Sequence, residues 1–358
     1  MQARRAHACG KKIKKSLFPQ RCLFAVSILP LRLDVDSSSR CRQAMLALAF
    51  NLLGWYSCNS FFNVLNKQAL NLFPYPWVVA WLQLFAGVAL IAPAWLAGLR
   101  TAPKVDAQFL GANFLPMGLL HSTGHAAQVF SFGAGSVFMA HVIKALEPII
   151  GTVIGVVFLG SRPSLATNAS LAPIVGGVVH AAMKPGASLD LGDLFGPAAK
   201  AALTSTVCFA FAKVIAKKLM TKRIKEERGL DARNNYALLT CCSCACLVGP
   251  SLYLEGAAAR AAFDAPGLDR TLVLKLVAQS GALYYLSNEF SFQVLDLLGP
   301  VPQAVANAAK RVFVLVAAVL FLGEAPSQRK VVGSAVALGG VLAYGLSRGA
   351  APAKPKKA

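Results

Sequence analysis

The stretch Val137-Phe138-Met139-Ala140-His141-Val142-Ile143-Lys144-Ala145-Leu146-Glu147-Pro148-Ile149-Ile150-Gly151-Thr152-Val153-Ile154-Gly155-Val156-Val157-Phe158 decides the fold. At about 1.5 Å per residue it reaches across the roughly 30 Å hydrocarbon core of a bilayer. Nearly all of it is apolar, and Lys144 stands in its middle. A charged group at that depth costs about 2.5 kcal/mol or more, so it faces a cavity rather than lipid and has a task there.

Outward from this span the pattern repeats. Apolar runs separated by Pro, Gly and charges predict ten spans, at about 44–64, 76–99, 107–130, 136–158, 167–183, 196–220, 234–254, 276–297, 303–322 and 330–347. The composition agrees: 56% of the 358 residues are hydrophobic and 14% are charged, with a mean hydropathy of +0.56. That leaves little chain for a soluble domain. The expected fold class is an all-α polytopic membrane protein.

Four regions follow: a basic N-terminal segment 1–43, two five-helix segments 44–185 and 186–349, and a basic tail 350–358. The first resembles an organelle-targeting segment, being basic and nearly free of acids. An even number of spans places both termini on one side. The loops on that side, with Arg100, Lys104, Arg162 and the 217–233 stretch, carry the larger basic excess, as the positive-inside rule requires.

The two five-helix segments are related by sequence. Phe158-Leu159-Gly160, Pro163 and Gly176-Gly177 recur as Phe321-Leu322-Gly323, Pro326 and Gly339-Gly340, 163 residues later in every case. An odd number of helices per copy inserts the second copy upside down, the inverted-repeat plan of secondary transporters, whose sites lie near the midplane. The repeat maps Glu147-Pro148 onto Lys310-Arg311, in the middle of the ninth span. Lys144, Lys310 and Arg311 are therefore expected to converge on one midplane cavity. Lys as a point charge and Arg as a two-pronged donor suit a phosphate dianion. The competing account pairs these cations with internal acids such as Glu147, Glu289 or Asp296.

Several other readings carry less. The formal net charge of +21 would suit nucleic acid in a soluble protein, but no soluble domain presents a binding face, so no nucleic acid is expected. Cys241, Cys242, Cys244 and Cys246 share one apolar segment and read as packing residues rather than a metal site. Neither metal, cofactor nor catalytic residue is expected: no paired acids or His-Asp group at recognisable spacing supports an enzyme. Asn168-Ala169-Ser170 matches a glycosylation sequon at a helix start. His121, His125 and Tyr284 lie on spans, as substrate donors or as interhelical hydrogen-bonding groups. The oligomeric state leaves no signal.

The motifs Asn66-Lys67 with Phe73-Pro74-Tyr75-Pro76, Gly124-His125 to Ser131-Phe132, His141 to Pro148, and Asn307-Ala308-Ala309-Lys310-Arg311-Val312-Phe313-Val314 resemble the plastidic phosphate translocators of the drug/metabolite transporter superfamily, from about Trp55 to Arg348. The resemblance implies a ten-helix carrier in the plastid inner envelope, with both termini in the stroma, that exchanges inorganic phosphate for phosphorylated metabolites. It assigns Lys144, Lys310 and Arg311 to the phosphate group and His125 to the organic part. Gln128 replaces the family's Ser or Thr three residues after that His, Ser287 stands where triose-phosphate carriers have Tyr, and Ala212 aligns with a family Arg. The wording around Lys144 and Lys310 favours phosphorylated three-carbon substrates, triose phosphate and 3-phosphoglycerate. The alternatives are phosphoenolpyruvate, pentose-phosphate or hexose-phosphate exchange, or a nucleotide-sugar antiporter of the Golgi or endoplasmic reticulum.

Overall fold

The computed structural model describes residues 35–159, 162–182, 195–219, 222–298 and 300–349. The basic segment up to residue 34, Gly160 of the repeat motif and the 350–358 tail lie outside the described residues. Residues 35–49 separate from the rest of the chain by contacts and are described only as the opening turns of the first helix. The other statements concern residues 50–349.

The chain is helical throughout the described residues. In order come α1 (Val35–Leu72), α2 (Pro76–Leu96), α3 (107–134), α4 (137–159), α5 (165–182), α6 (Pro197–Leu219), a short α7 (Lys222–Arg228), α8 (232–264), α9 (Arg270–Leu298), α10 (Pro300–Leu322) and α11 (Gln328–Gly349). Each of the ten expected spans lies on one of these. Pro76–Leu96, Val137–Phe158, Leu165–Ala182, Ala232–Asp264 and Gln328–Ser347 are long and apolar enough to cross a membrane. Large apolar side chains such as Leu53, Val157, Phe158, Leu320, Phe321 and Leu346 are exposed on the outer surface, as lipid contact allows. Among the described residues, α1, α3, α6, α9 and α10 do not reach that length and apolarity together, although α6 holds a shorter apolar run over Pro197–Ala212.

Prolines mark the irregular turns. Pro116 has no N–H to return to the carbonyl of the preceding turn, and just before it Leu110–Phe114 is a π-turn. Leu252–Gly256, immediately after Pro250, is another. In α4, Pro148 cannot donate to the Lys144 carbonyl; the Glu147 N–H takes that carbonyl instead, and Lys144–Leu146 tightens into a 3₁₀ turn. At the end of α10, Gly323 adopts a φ of 65°, the left-handed conformation that glycine accepts at a helix C-terminus.

The two halves of the chain do not form separate lobes. α2, α3, α8 and α9 pack on one another, and α4, α5, α10 and α11 pack on one another; α6 touches both α3 and α4. α1 likewise meets both groups, through Phe62 against Tyr284 at 5.0 Å and Tyr56 against Phe313 at 5.1 Å. Each group thus draws two helices from each half.

The α5–α11 crossing shows how close the backbones come. A Cβ added at Gly177 would lie 2.4 Å from the Ala337 nitrogen, and one at Gly333 would lie 2.5 Å from the Gly177 carbonyl oxygen. Small residues at such crossings let membrane helices approach. Gly176, the neighbour in the repeated motif, has open space around it. Gly177→Leu is expected to destabilise the protein by about 2 kcal/mol or more, read as a lower unfolding temperature in detergent, with Gly176→Leu near wild type. Equal effects at both positions would contradict this packing.

Candidate anion-binding site

One buried cavity gathers residues from seven helices, with Lys144 and Glu147 of α4 and Lys310 and Arg311 of α10 on its wall. Lys144 opens the 3₁₀ turn of α4, and its side chain reaches Gln128 on α3. Lys144 is buried, its ammonium donates to Gln128 Oε1, and it stands 5.8 Å from the Phe132 ring and 5.5 Å from the Phe209 ring. Aromatic faces attract a cation without supplying a counter-charge. Lys310 sits 4.9 Å above the Trp55 ring.

Arg311, 5% exposed, is held differently. Its Nη2 donates to Glu147 Oε2 at 2.6 Å and its Nη1 to the His141 carbonyl at 3.3 Å, while its Nε has no partner. Asn307 Nδ2 donates to the same Glu147 oxygen at 3.1 Å. The competing account, pairing with an internal acid, therefore describes Arg311. Glu289 is engaged elsewhere, with Arg100 at 3.1 Å. The cluster of three cations thus includes one acid, Glu147, paired with Arg311.

Away from these charges the wall is neutral and polar. His121 Nδ1 lies 3.1 Å from Ser243 Oγ, and its Nε2 lies 3.3 Å from the Tyr284 hydroxyl. Asn288 Nδ2 donates to the Tyr284 carbonyl at 2.9 Å, and Gln303 Nε2 to Ser291 Oγ at 3.2 Å. Thr206 and Tyr236 add hydroxyls, and Phe209, Ala212, Ala216, Leu239 and Phe292 give this side an apolar part.

Of the residues singled out in the sequence, Lys144, Lys310, Arg311 and Gln128 meet on the cavity wall. His125 lies outside the lining, fully buried with its ring 4.0 Å from that of Tyr284, which does line the cavity. Ser287 is 1% exposed, points away from the lining, and its hydroxyl has no partner. Trp55, Asn59, Asn288, Ser291 and Asn307 line the cavity without having been singled out. The signal available for them was helical spacing: Asn288 and Ser291 are one turn apart and follow Tyr284 by a turn.

The cavity runs from the middle of the bundle toward one end. Along α10 the lining extends from Arg311 to Gln303, about 12 Å at the helical rise. At that end Arg100 bonds Asn234 Oδ1 at 2.9 Å and Glu289, and Arg228 bonds Asp106 at 2.9 Å, which holds that carboxyl below its usual range. The opposite end is closed. Lys67 Nζ donates to the carbonyls of Phe132 at 2.7 Å and Gly135 at 3.0 Å. Gln83 Nε2 bonds Asn66 and Ser280 at 2.7 and 2.9 Å. Glu255 accepts from the Trp77 and Val78 amides, and Glu324 from those of Val137 and Phe138.

Among the described residues no group of three or more His, Cys, Asp or Glu is placed to hold a metal ion; Cys241, Cys242, Cys244 and Cys246 are free thiols.

A helical bundle with membrane-length apolar helices and an internal cavity walled by Lys144, Lys310 and Arg311 has the form of a membrane carrier. The chain belongs to the Triose-phosphate Transporter family, whose profile matches residues 46–345. It is 32% identical over 305 residues to phosphoenolpyruvate/phosphate translocator 1, chloroplastic, of Oryza sativa subsp. japonica, covering 85% of this chain and 72% of that one. It is 33% identical over 322 residues to the xylulose 5-phosphate/phosphate translocator, chloroplastic, of Arabidopsis thaliana (89% and 73%). It is 30% identical over 304 residues to the triose phosphate/phosphate translocator, chloroplastic, of Flaveria trinervia (84% and 71%).

Proposed function

We propose that the chain is an antiporter of a plastid membrane that exchanges inorganic phosphate for phosphorylated three-carbon metabolites, triose phosphate and 3-phosphoglycerate, by alternating access. The observation that carries this reading is the meeting of Lys144, Lys310 and Arg311 on one buried cavity wall. Arg311 has a free Nε beside two flexible ammonium groups, a donor set suited to a phosphate group. The relatives, named for exchange of different organic phosphates against phosphate, support a common phosphate site with a variable organic side. The 12 Å reach of the lining along α10 also favours a second reading, a longer pentose or hexose phosphate. Both termini are placed in the stroma, and the two segments 44–185 and 186–349 are taken as inverted five-helix repeats. The matched contacts α2–α9 with α3–α8, and α2–α3 with α8–α9, support that symmetry.

The cations stand on α4 and α10, in one helix group, while His121, Tyr236, Tyr284 and Asn288 stand on α3, α8 and α9, in the other. A bound metabolite then bridges the two groups, and its binding free energy is available to draw them together. The test is counter-exchange in phosphate-loaded liposomes offered dihydroxyacetone phosphate, 3-phosphoglycerate, phosphoenolpyruvate and glucose 6-phosphate in parallel. Uptake fastest for the first two is expected. Silence for all four, with exchange of a nucleotide sugar, would overturn the reading.

A further inference from the structure

We propose that the neutral side of the cavity recognises a hydroxyl on the organic tail, received between Tyr284 and Tyr236 by a hydrogen-bond relay whose direction Ser243 fixes. The proposal rests on the antiport reading above and deepens it, since triose phosphate and 3-phosphoglycerate both carry such a hydroxyl.

Each proton along the relay has one place to go. Ser243 Oγ lies 2.7 Å from the Leu239 carbonyl oxygen, one turn back on α8. A carbonyl only accepts, so the single Ser243 hydroxyl proton points at Leu239. At its other contact, His121 Nδ1 at 3.1 Å, the Ser243 oxygen must accept, which puts the ring proton on Nδ1. His121 is buried and its partners are two hydroxyls. A buried ring with no carboxylate partner among the described residues is neutral. Its Nε2 therefore holds a lone pair, and the Tyr284 hydroxyl, 3.3 Å away, donates to it.

The Tyr284 oxygen thus meets the cavity with lone pairs and no proton. Tyr236 lines the same cavity, its ring 6.0 Å from that of His121, and its wholly buried hydroxyl has no partner. One wall oxygen accepts and the other has a proton to give. An alcohol satisfies both at once: its proton goes to Tyr284, and its oxygen receives from Tyr236. A tail that ends in a methyl group brings no donor, so the closed site leaves Tyr284 and Tyr236 without partners, a costly state for buried polar groups. Ser243 lies outside the lining and is a positioning residue, acting on the tail through His121 and Tyr284.

The experiment offers dihydroxyacetone phosphate and its deoxy analogue, hydroxyacetone phosphate, in parallel to phosphate-loaded liposomes, with phosphate-for-phosphate exchange measured alongside. The two substrates carry the same charge and differ only in the terminal hydroxyl. The wild-type protein is expected to carry the hydroxyl-bearing one at least about tenfold faster. Ser243→Ala lets the His121 proton move to Nε2, which turns the relay round and leaves Tyr284 donating into the cavity; the ratio is expected to fall by about fivefold or more. Tyr236→Phe removes the donor and is expected to lower the ratio as well. The ratio within each variant is the readout, so a change that only loosens the fold and slows both substrates alike does not imitate the effect. Equal wild-type rates for the two substrates, or a ratio unchanged in both variants, overturns the proposal while leaving the antiport reading standing. Absence of phosphate-for-phosphate exchange in the wild-type protein overturns both.

Discussion

Exchange of phosphate, and of every organic phosphate offered, falls by at least about a hundredfold when Arg311 is replaced by alanine. Breaking one partner out of a buried ion pair costs about 3–5 kcal/mol, which at 1.4 kcal/mol per tenfold is roughly two to three orders of magnitude. Two losses combine here. The substrate loses the guanidinium fork, and Glu147, which Arg311 holds at 2.6 Å, loses its guanidinium partner while facing an anion. Arg311→Lys keeps the charge without the fork and is expected to recover only part of the rate. Arg311→Ala combined with Glu147→Gln is expected to exceed Arg311→Ala alone, because the repelling carboxylate is gone. Initial rates in liposomes check this, with gel filtration in detergent to show that each variant is folded. A loss confined to one organic phosphate would sink the assignment of Arg311 to the group all substrates share.

Uptake into liposomes preloaded with phosphate is expected to exceed uptake into chloride-loaded liposomes by about a hundredfold. Closing both ends over an empty site buries Lys144, Lys310 and Arg311 with Glu147 as the acid on the same wall, and the penalty for a buried ion is several kcal/mol even after relaxation. Gln128 and the Phe132, Phe209 and Trp55 rings ease Lys144 and Lys310 but add no negative charge. A phosphate dianion supplies it, so loaded carriers cross and empty ones stay. The Glu147–Arg311 pair makes the empty site less costly than three bare cations would, which predicts a measurable slow leak in place of complete arrest. Equal rates with and without internal phosphate would remove charge burial as the source of coupling.

The helices were legible because the sequence breaks at Pro, Gly or charge between its apolar stretches; α1 begins about nine residues before expectation, α8 runs about ten past it, α9 and α10 start a few residues early, and the short α7 was not expected. The missed features are those without a one-dimensional trace. Interleaving of the halves depends on which faces meet, and spans such as α1 and α9 give no sign of their partners until Phe62 is seen against Tyr284. The π-turns beside Pro116 and Pro250 follow from the missing N–H, but a proline inside a run reads equally as a kink. At the site, Lys144, Lys310 and Arg311 stood out because charge is rare at such depth. His121 and His125 did not separate: they are one turn apart on α3, and only the position of Tyr284 decides that the first lines the cavity while the second backs it.

The fastening of the closed end bears on how the protein is made. The α2 amides at Trp77 and Val78 wait for Glu255, and the α4 amides at Val137 and Phe138 wait for Glu324. Gly177 on α5 gains its close neighbour only with Ala337. A chain that has inserted only its first five helices therefore has two helix starts unsatisfied and one backbone groove vacant. Neither helix group closes until the C-terminal part arrives, so a nascent chain halted after α5 remains a substrate for membrane quality control.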